Sequence, residues 1–339
     1  MNVNITKEDA NFLPVDIHDF RKATRDIGFD LYLKVSEDNY AHIFSRSTGI
    51  DYKRLAQYIE KGVEKLYVRK EDEALYRAFV STTPESLLKD PGVPEGKKVA
   101  TLVNMTEQNM AEIFARLKVP EETAENAKAV IKSYVDLMTE RPRTLSVLLK
   151  LASHGEYLYY HSIAVAIFSM FIAKATGQMN RRMTETVALG GFLHDIGQTQ
   201  LPESLANSSK ALTPGEWKQM RTHPKLGLKM IENTPSIPDE VRYIVYQHHE
   251  EPSGNGYPNG LRGDAIFYPA KIVAVADGFS ALISHRPFRP PYSVEQAIKI
   301  LESEVGKYDP DLVGLVATIF GGIEEKDDDS DSIPKGHAA

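Results

Sequence analysis

The chain contains no cysteine among its 339 residues. This absence excludes thiolate zinc sites, iron–sulfur clusters and the Pro-Cys-x-x-Cys pattern of zinc deaminases. A His-Glu-x-x-His protease helix is also missing, because Ser253 stands where the second histidine would be needed after His249 and Glu250. Any metal site in this chain would therefore use nitrogen and oxygen ligands alone.

Long apolar runs are also missing. The longest mainly apolar segment, residues 163–173, falls well short of the roughly 20 residues that a membrane-spanning helix needs. No secretory segment precedes the first charged residues, so we expect a cytoplasmic protein that does not bind a membrane. The net charge of -7 argues against general binding to DNA or RNA, although the local charge of Arg221, Lys225, Arg262 and Arg286 could still attract an anion.

Histidine and aspartate residues, by contrast, recur in one ordered series. The series is His161, His194, Asp195, His223, His248, His249 and Asp277. A single histidine on an apolar helix face is more often a hydrogen-bonded core residue than a ligand, but a set of this size is hard to explain by packing. Imidazole and carboxylate together are the ligands of paired transition-metal sites.

The spacing of apolar residues places most of this series on buried helix faces. The face of the first helix carries Leu158, His161, Val165, Phe168 and Ile172. We expect His194 near the end of a second helix and His248 and His249 on the buried face of a third. Asp277 lies deep in a further apolar segment, where a carboxylate needs a cation.

His223 follows a different signal. Thr213-Pro214-Gly215-Glu216 is a capping box with proline at the first helical position, and the helix that it starts is predicted to end at Thr222. His223 then lies at a helix junction. Such a position can present a side chain into a cleft, but it also suits a simple cap or hinge residue.

The order of these motifs resembles the HD-GYP domain, the bacterial branch of the HD phosphohydrolases that hydrolyses cyclic di-GMP. The motifs are His161-Ser162, Leu193-His194-Asp195-Ile196-Gly197, His223-Pro224, His248-His249-Glu250, Gly254-Asn255-Gly256-Tyr257-Pro258, Ala276-Asp277 and Arg286-Pro287-Phe288-Arg289. They cover roughly residues 141–325. A His-Asp pair alone is common by chance, whereas this order with an intact Gly-Tyr-Pro loop is specific.

The resemblance implies a two-metal centre. His161, His194, Asp195 and Asp277 would hold one metal, and Asp195, His223, His248 and His249 the other, so that Asp195 bridges. The cations, iron or manganese with zinc also compatible, would share a hydroxide that attacks the phosphate. A glutamate that holds a third metal in some relatives is replaced by Tyr157, so two metals are expected.

The resemblance also implies substrate contacts. Arg286 and Arg289 match the family's phosphate clamp, because a guanidinium can bind two phosphate oxygens at once. The same residues would also suit an ordinary solvent-exposed basic turn. Tyr257 would line the substrate cleft or brace it. Gln198 stands where the family usually has a lysine that contacts phosphate, so we treat it as a neutral replacement at a catalytic position.

Further departures alter the surroundings of the ligands. Ser253 and Ser280 replace aspartates that are common in the family, and Phe288 replaces a tyrosine. The leading hypothesis is hydrolysis of cyclic di-GMP to linear pGpG with attenuated turnover, because every ligand is retained. The alternatives are a weak or inactive relative that senses the nucleotide and acts on a signalling protein, and a phosphohydrolase for another cyclic dinucleotide.

The fold class is predicted to be α+β, with a small N-terminal α/β module followed by an all-α HD-GYP helical bundle. Strands are predicted at residues 29–35, 40–44 and 66–69, with a helix at about 51–61, and residues 90–98 read as linker. Helices near 107–117 and 121–138 could pair in a homodimer. We divide the chain into a regulatory or partner-binding module (1–82), a linker with connecting helices (83–140), the HD-GYP domain (141–325) and an acidic disordered tail (326–339).

Overall fold

The computed structural model describes residues 5–7, 11–20, 27–36, 39–81, 95–114, 118–140, 157–206, 212–284 and 289–321. The chain divides into two compact units, Met1–Ser133 and Tyr134–Ala339. Arg286, Phe288 and the predicted acidic tail lie outside the described residues. None of the helices in the described ranges combines the length and the apolar character that a bilayer crossing requires.

The first unit contains an antiparallel sheet of five strands in the order β1-β4-β3-β5-β2. The strands are Ile5–Lys7 (β1), Phe12–Asp16 (β2), Leu31–Ser36 (β3), Asn39–Phe44 (β4) and Lys65–Arg69 (β5). Strands β3, β4 and β5 confirm the prediction. Strands β1 and β2 were not predicted from the sequence. β1 is very short, and β2 contains Pro14, which an edge strand tolerates. Every pairing is antiparallel, so this module is α+β in type and not the predicted α/β.

Four helices are described before the metal-ligand series begins. They are Tyr52–Glu60 (α1), Glu73–Ser81 (α2), Glu95–Phe114 (α3) and Glu121–Glu140 (α4). Asp51 caps α1 by accepting a hydrogen bond from the Arg54 amide at 3.1 Å. The prediction of a linker was wrong for residues 95–98, which are helical, because Lys98 and Val99 are buried and tertiary packing outweighs the local turn signal.

The sheet and α1 enclose an apolar core. Its fully buried members include Ile17, Phe20, Ile27, Phe29, Leu31, Ile50, Leu66 and Val68. Phe12 stacks on Tyr40 with ring centroids 4.1 Å apart, in a separate aromatic cluster. The aromatic residues Phe12, Tyr32 and Tyr40 of this module therefore pack against one another.

The described elements of the second unit are helical, as predicted. They are Tyr157–Ala175 (α5), Arg181–Leu193 (α6), Glu203–Ala206 (α7), Pro214–Met220 (α8), His223–Ile231 (α9), Asp239–Gln247 (α10), Tyr268–Ile283 (α11), Val294–Ser303 (α12) and Pro310–Phe320 (α13). The Thr213 capping box starts α8, and proline occupies the first turn of α11.

Two adjacent glycines bring α6 close to its neighbours. A Cβ atom at Gly191 would lie 3.1 Å from the Val165 carbonyl oxygen of α5, and one at Gly190 would lie 2.6 Å from Ile244 Cδ1 of α10. A side chain at Gly191 would press on the backbone of α5, and one at Gly190 would require the Ile244 side chain to move. The small residues thus set the spacing of the three helices that carry most of the histidines.

Candidate metal centre

The seven predicted ligands come from five places in the second unit. His161 lies in the second turn of α5 and Asp277 lies within α11, whereas His194 with Asp195 directly follows α6, His223 opens α9, and His248 with His249 follows α10. His161, His194, Asp195, His223 and His248 are all buried. The fold therefore gathers residues spread from position 161 to position 277 into one cluster.

Asp195 occupies the middle of this cluster. Its Oδ2 atom lies 3.2 Å from His194 Nε2 and 4.0 Å from His161 Nε2. Its Oδ1 atom lies 3.1 Å from His223 Nε2 and 3.7 Å from His248 Nε2. The two oxygens of one carboxylate thus face two different sets of imidazoles.

Asp277 extends the first of these sets. Its Oδ1 atom lies 3.1 Å from His161 Nε2 and 4.0 Å from His194 Nε2. Two groups of ligand atoms within 4.8 Å of one another could each hold a metal ion, and Asp195 belongs to both. The groups are His161, His194 and Asp195 on one side, and Asp195, His223, His248 and His249 on the other.

Three of the histidines have their orientation fixed by their own backbone. The Nδ1 atoms of His194, His223 and His248 lie 2.7, 2.8 and 2.9 Å from the carbonyl oxygens of Gly191, Met220 and Val245, each three residues earlier. These carbonyls are at the C-terminal ends of α6, α8 and α10, where no later helical amide claims them. A carbonyl only accepts, so Nδ1 carries a proton and Nε2 is the ring nitrogen that faces the cluster.

The polar atoms of the cluster fit a cation. His194 Nε2 and Asp195 Oδ1 are buried, and neither has a hydrogen-bond partner within the part of the chain that the structure describes. A buried polar atom without a partner is costly unless a ligand satisfies it. Imidazole nitrogens and carboxylate oxygens are the donors that divalent iron, manganese and zinc accept.

Charge coupling within the cluster is strong. Burial disfavours the charged form of His194, but the Asp195 carboxylate outweighs it and raises the pKa of His194 to about 9. Burial likewise opposes ionisation of Asp195, but His194 and the other imidazoles lower the pKa of this carboxyl well below its ordinary value. The pKa of His249 is lowered, first by burial and then by the neighbouring His248 and His223. The cluster therefore offers ionised oxygens together with at least one neutral imidazole.

Tyr257 of the Gly-Tyr-Pro loop packs against the cluster. Its ring centroid lies 4.7 Å from that of His249 at an interplanar angle of 32°. Burial raises the pKa of Tyr257, so the phenol stays protonated. The Arg221 guanidinium carbon lies 5.4 Å from the centroid of the same ring. Tyr257 thus links a predicted ligand to a basic residue that the motifs did not assign to the site.

Glu250 organises the loop that carries Tyr257. Its buried carboxylate accepts hydrogen bonds from the amides of Asn259 at 2.7 Å and Leu261 at 2.8 Å. The sequence showed an acid directly after the two histidines, but nothing in the local pattern revealed that its partners are backbone amides nine and eleven residues further on.

The predicted substrate contacts have different surroundings. Gln198 lies in the short 3-10 turn Ile196–Gln200 directly after Asp195, whose carbonyl accepts a hydrogen bond from the Gln198 amide at 2.9 Å. The Arg289 guanidinium donates to the carbonyls of Ala281, Leu282 and Pro290 at 2.8 to 3.0 Å. Phosphate binding by Arg289 stays a prediction, and it would compete with these hydrogen bonds.

Several known proteins resemble this chain in sequence, and one solved structure shares its fold. The chain is 31% identical over 171 residues to the cyclic di-GMP phosphodiesterase PA4108 of Pseudomonas aeruginosa, a match that covers 50% of this chain and 41% of that protein. It is 32% identical over 223 residues to a cyclic di-GMP phosphodiesterase of Thermotoga maritima, covering 63% and 59%. It is 31% identical over 167 residues to the 3'3'-cGAMP-specific phosphodiesterase 1 of Vibrio cholerae, covering 48% and 38%. The chain thus spans about two fifths to three fifths of the length of these relatives.

The solved structure of Bd1817, a HDG"Y"P protein from Bdellovibrio bacteriovorus, has the same fold. The TM-score is 0.68 at 21% sequence identity, and the match covers 92% of this chain and all of that one. The family description "HD domain" matches residues 129–312, which include every predicted metal ligand. As its His-Asp motifs predicted, the chain belongs to the HD domain family.

Proposed function

We propose that this chain is a metal-dependent phosphodiesterase that hydrolyses cyclic di-GMP to linear pGpG at a binuclear site. The observation that carries the proposal is the position of Asp195, whose two carboxylate oxygens each face a separate pair of buried imidazoles. One bridging carboxylate between two nitrogen-rich ligand sets is the arrangement that a pair of divalent cations needs. The cyclic dinucleotide activity of the named relatives supports the choice of substrate.

Each side chain has a defined part in this proposal. Asp195 would hold both cations, His161, His194 and Asp277 would complete one ligand set, and His223, His248 and His249 would complete the other. The cations, iron or manganese in the first instance, would supply Lewis acidity and would lower the pKa of a bound water. The Nδ1 hydrogen bonds to Gly191, Met220 and Val245 keep the three imidazoles aimed at the cluster before substrate arrives. Tyr257 packs against the imidazole of His249 and would help to hold it in place.

The test is chromatographic product analysis after anaerobic incubation of iron- or manganese-loaded protein with cyclic di-GMP. Linear pGpG is the expected product, and an Asp195→Asn variant is expected to form none. Recovery of unchanged substrate from protein with confirmed metal content would overturn the proposal. The alternative of a sensor, motivated by the neutral Gln198, predicts nucleotide binding without product in the same experiment.

A second substrate has support of its own. The Vibrio cholerae relative is named for 3'3'-cGAMP, and its level of identity to this chain equals that of the Pseudomonas aeruginosa relative. Both dinucleotides present the same phosphodiester to the cluster and differ in one base. Competition between them in one incubation decides the preference, and faster consumption of 3'3'-cGAMP would favour this alternative.

A further inference from the structure

A cyclic dinucleotide carries two phosphodiesters, and in the proposed function the metal cluster faces the one that is cleaved. A cation elsewhere on the protein would hold the other through charge-assisted hydrogen bonds. Among the described candidates, Gln198 is neutral and Arg289 already donates to three carbonyls, and Arg286 lies outside the described residues.

Arg221 meets this requirement. It is the C-cap residue of α8, two positions before His223, and it is exposed. Its guanidinium carbon lies 5.4 Å from the centroid of the Tyr257 ring, and Tyr257 in turn contacts the imidazole of His249. Among the described residues no carboxylate lies within ion-pair distance of Arg221. Its charge is therefore not neutralised by a described neighbour, and only one ring separates it from a predicted ligand.

The contact with Tyr257 also favours anion binding. A guanidinium that lies over an aromatic face is held by the ring quadrupole, while its N–H groups stay free in their own plane. Those groups can take two phosphate oxygens at once. The ring thus reduces the freedom that Arg221 would lose on binding a phosphate.

We infer that Arg221 is a substrate-binding residue that takes the phosphate of the cyclic dinucleotide that lies outside the metal cluster, with Tyr257 as its platform. This inference rests on the proposed function, and it adds a residue that the motifs of the sequence did not assign. It also gives the Gly-Tyr-Pro loop a definite part, because Tyr257 then positions a cation next to the histidine ligands.

The experiment is calorimetric titration of the manganese-loaded full chain with a bisphosphorothioate analogue of cyclic di-GMP, which resists hydrolysis. Arg221→Gln is expected to weaken binding roughly tenfold to a hundredfold, the loss of one charge-assisted contact. Lys218→Gln is the matched control, because Lys218 is an exposed basic residue of the same helix. The affinity of this variant for the analogue is expected to stay within about twofold of that of the unaltered chain. Manganese content is measured for each variant and should not change.

One further variant and one further measurement test the role of the Arg221 charge. Arg221→Lys keeps the charge but loses the planar fork, so its affinity should fall between those of the unaltered chain and Arg221→Gln. The dependence of affinity on salt should be shallower for Arg221→Gln, because one ionic contact is missing. Equal affinity of Arg221→Gln and the unaltered chain, at equal manganese content, would overturn the inference.

The outcomes separate the inference from the proposed function. If the unaltered chain forms no pGpG but binds the analogue through Arg221, only the proposed hydrolysis fails. If pGpG forms and Arg221→Gln binds as tightly as the unaltered chain, only the inference fails. If the unaltered, manganese-loaded chain does not bind the analogue, the inference fails, and product analysis alone decides the hydrolysis.

Discussion

Ser280 Oγ lies 3.1 Å from His161 Nδ1, although the two residues are 119 positions apart in the chain. His161 is inside α5, where the backbone carbonyls are engaged in helical hydrogen bonds, so its Nδ1 atom needs a partner from another element. The fully buried hydroxyl of Ser280 on α11 supplies one. The residue that the sequence marked as a departure from the family is therefore the partner of a predicted ligand.

Replacing Ser280 with alanine should weaken metal binding on the His161 side. The imidazole would lose the hydrogen bond that fixes its orientation, and losses of this kind typically cost roughly tenfold to a hundredfold in metal affinity. The measurement is manganese affinity by competition with a chelator. Ser284→Ala is the control, since Ser284 is a buried serine one turn later whose Oγ has no hydrogen-bond partner among the described residues. Equal affinity of the two variants would refute this role of Ser280.

Removal of the Asp195 charge should affect both halves of the cluster at once. In Asp195→Asn each set of imidazoles loses an anionic ligand, because Oδ1 faces one set and Oδ2 the other. We expect metal content to fall toward zero. His161→Ala or His223→Ala should remove a ligand from one set only and so lower the content by about half. The measurement is metal content after gel filtration, and a half-loaded Asp195→Asn protein would contradict the shared-carboxylate geometry.

Alanine at Gly197 should destabilise the fold around His223. A Cβ atom there would overlap the His223 carbonyl oxygen and would crowd the Gly227 amide, and both neighbours are backbone atoms of α9. We expect the free energy of unfolding of the metal-free protein to fall by about 1–3 kcal/mol, the usual range for overpacking. The control is Gly314→Ala in α13, where the new methyl group meets nothing within 4 Å. That variant should be as stable as the original or slightly more stable.

Glu250→Gln should loosen the loop that carries Tyr257. The carboxylate accepts from two backbone amides, whereas an amide side chain offers one oxygen and turns an N–H group toward the other donor. The free energy needed to open the loop is expected to fall by about 1–3 kcal/mol, because one buried N–H donor is left without an acceptor. Hydrogen exchange at the amides of Asn259 and Leu261 is the measurement. The same exchange rates in Glu250→Gln and in the exposed control Glu232→Gln would rule out this function of Glu250.

A lysine at position 198 should raise turnover. Gln198 lies in the turn directly after Asp195, so a cation there would be close to a phosphate held at the cluster. One charge-assisted contact that forms in the transition state corresponds to a gain of roughly tenfold to a hundredfold in kcat. Gln200→Lys, in the same turn and equally half-buried, should give little change. No gain in Gln198→Lys at unchanged metal content would contradict the prediction that the neutral Gln198 limits turnover.

Most of the helical unit was predictable because its signals are local. Capping residues, helix-face periodicity and the His-Asp motifs all lie within a few positions of one another. The structure brings six of the predicted ligands into two groups, and the seventh, Asp277, lies 3.1 Å from His161. The strand β2 was missed because Pro14 interrupts its pattern, and the start of α3 was missed because burial of Lys98 and Val99 overrides turn residues. The contacts of Ser280, Glu250 and Arg221 join residues distant in the chain, so no local pattern could have revealed them.

The carbonyls that hold the Nδ1 atoms of His194, His223 and His248 belong to the backbone, which every amino acid supplies. No point substitution at Gly191, Met220 or Val245 can delete such an acceptor outright, except by moving the chain. His161 alone among these four depends on a side chain for its partner. Substitution of Ser280 can therefore change the orientation of His161, while His194, His223 and His248 keep their orientation over a wide range of neighbouring sequences.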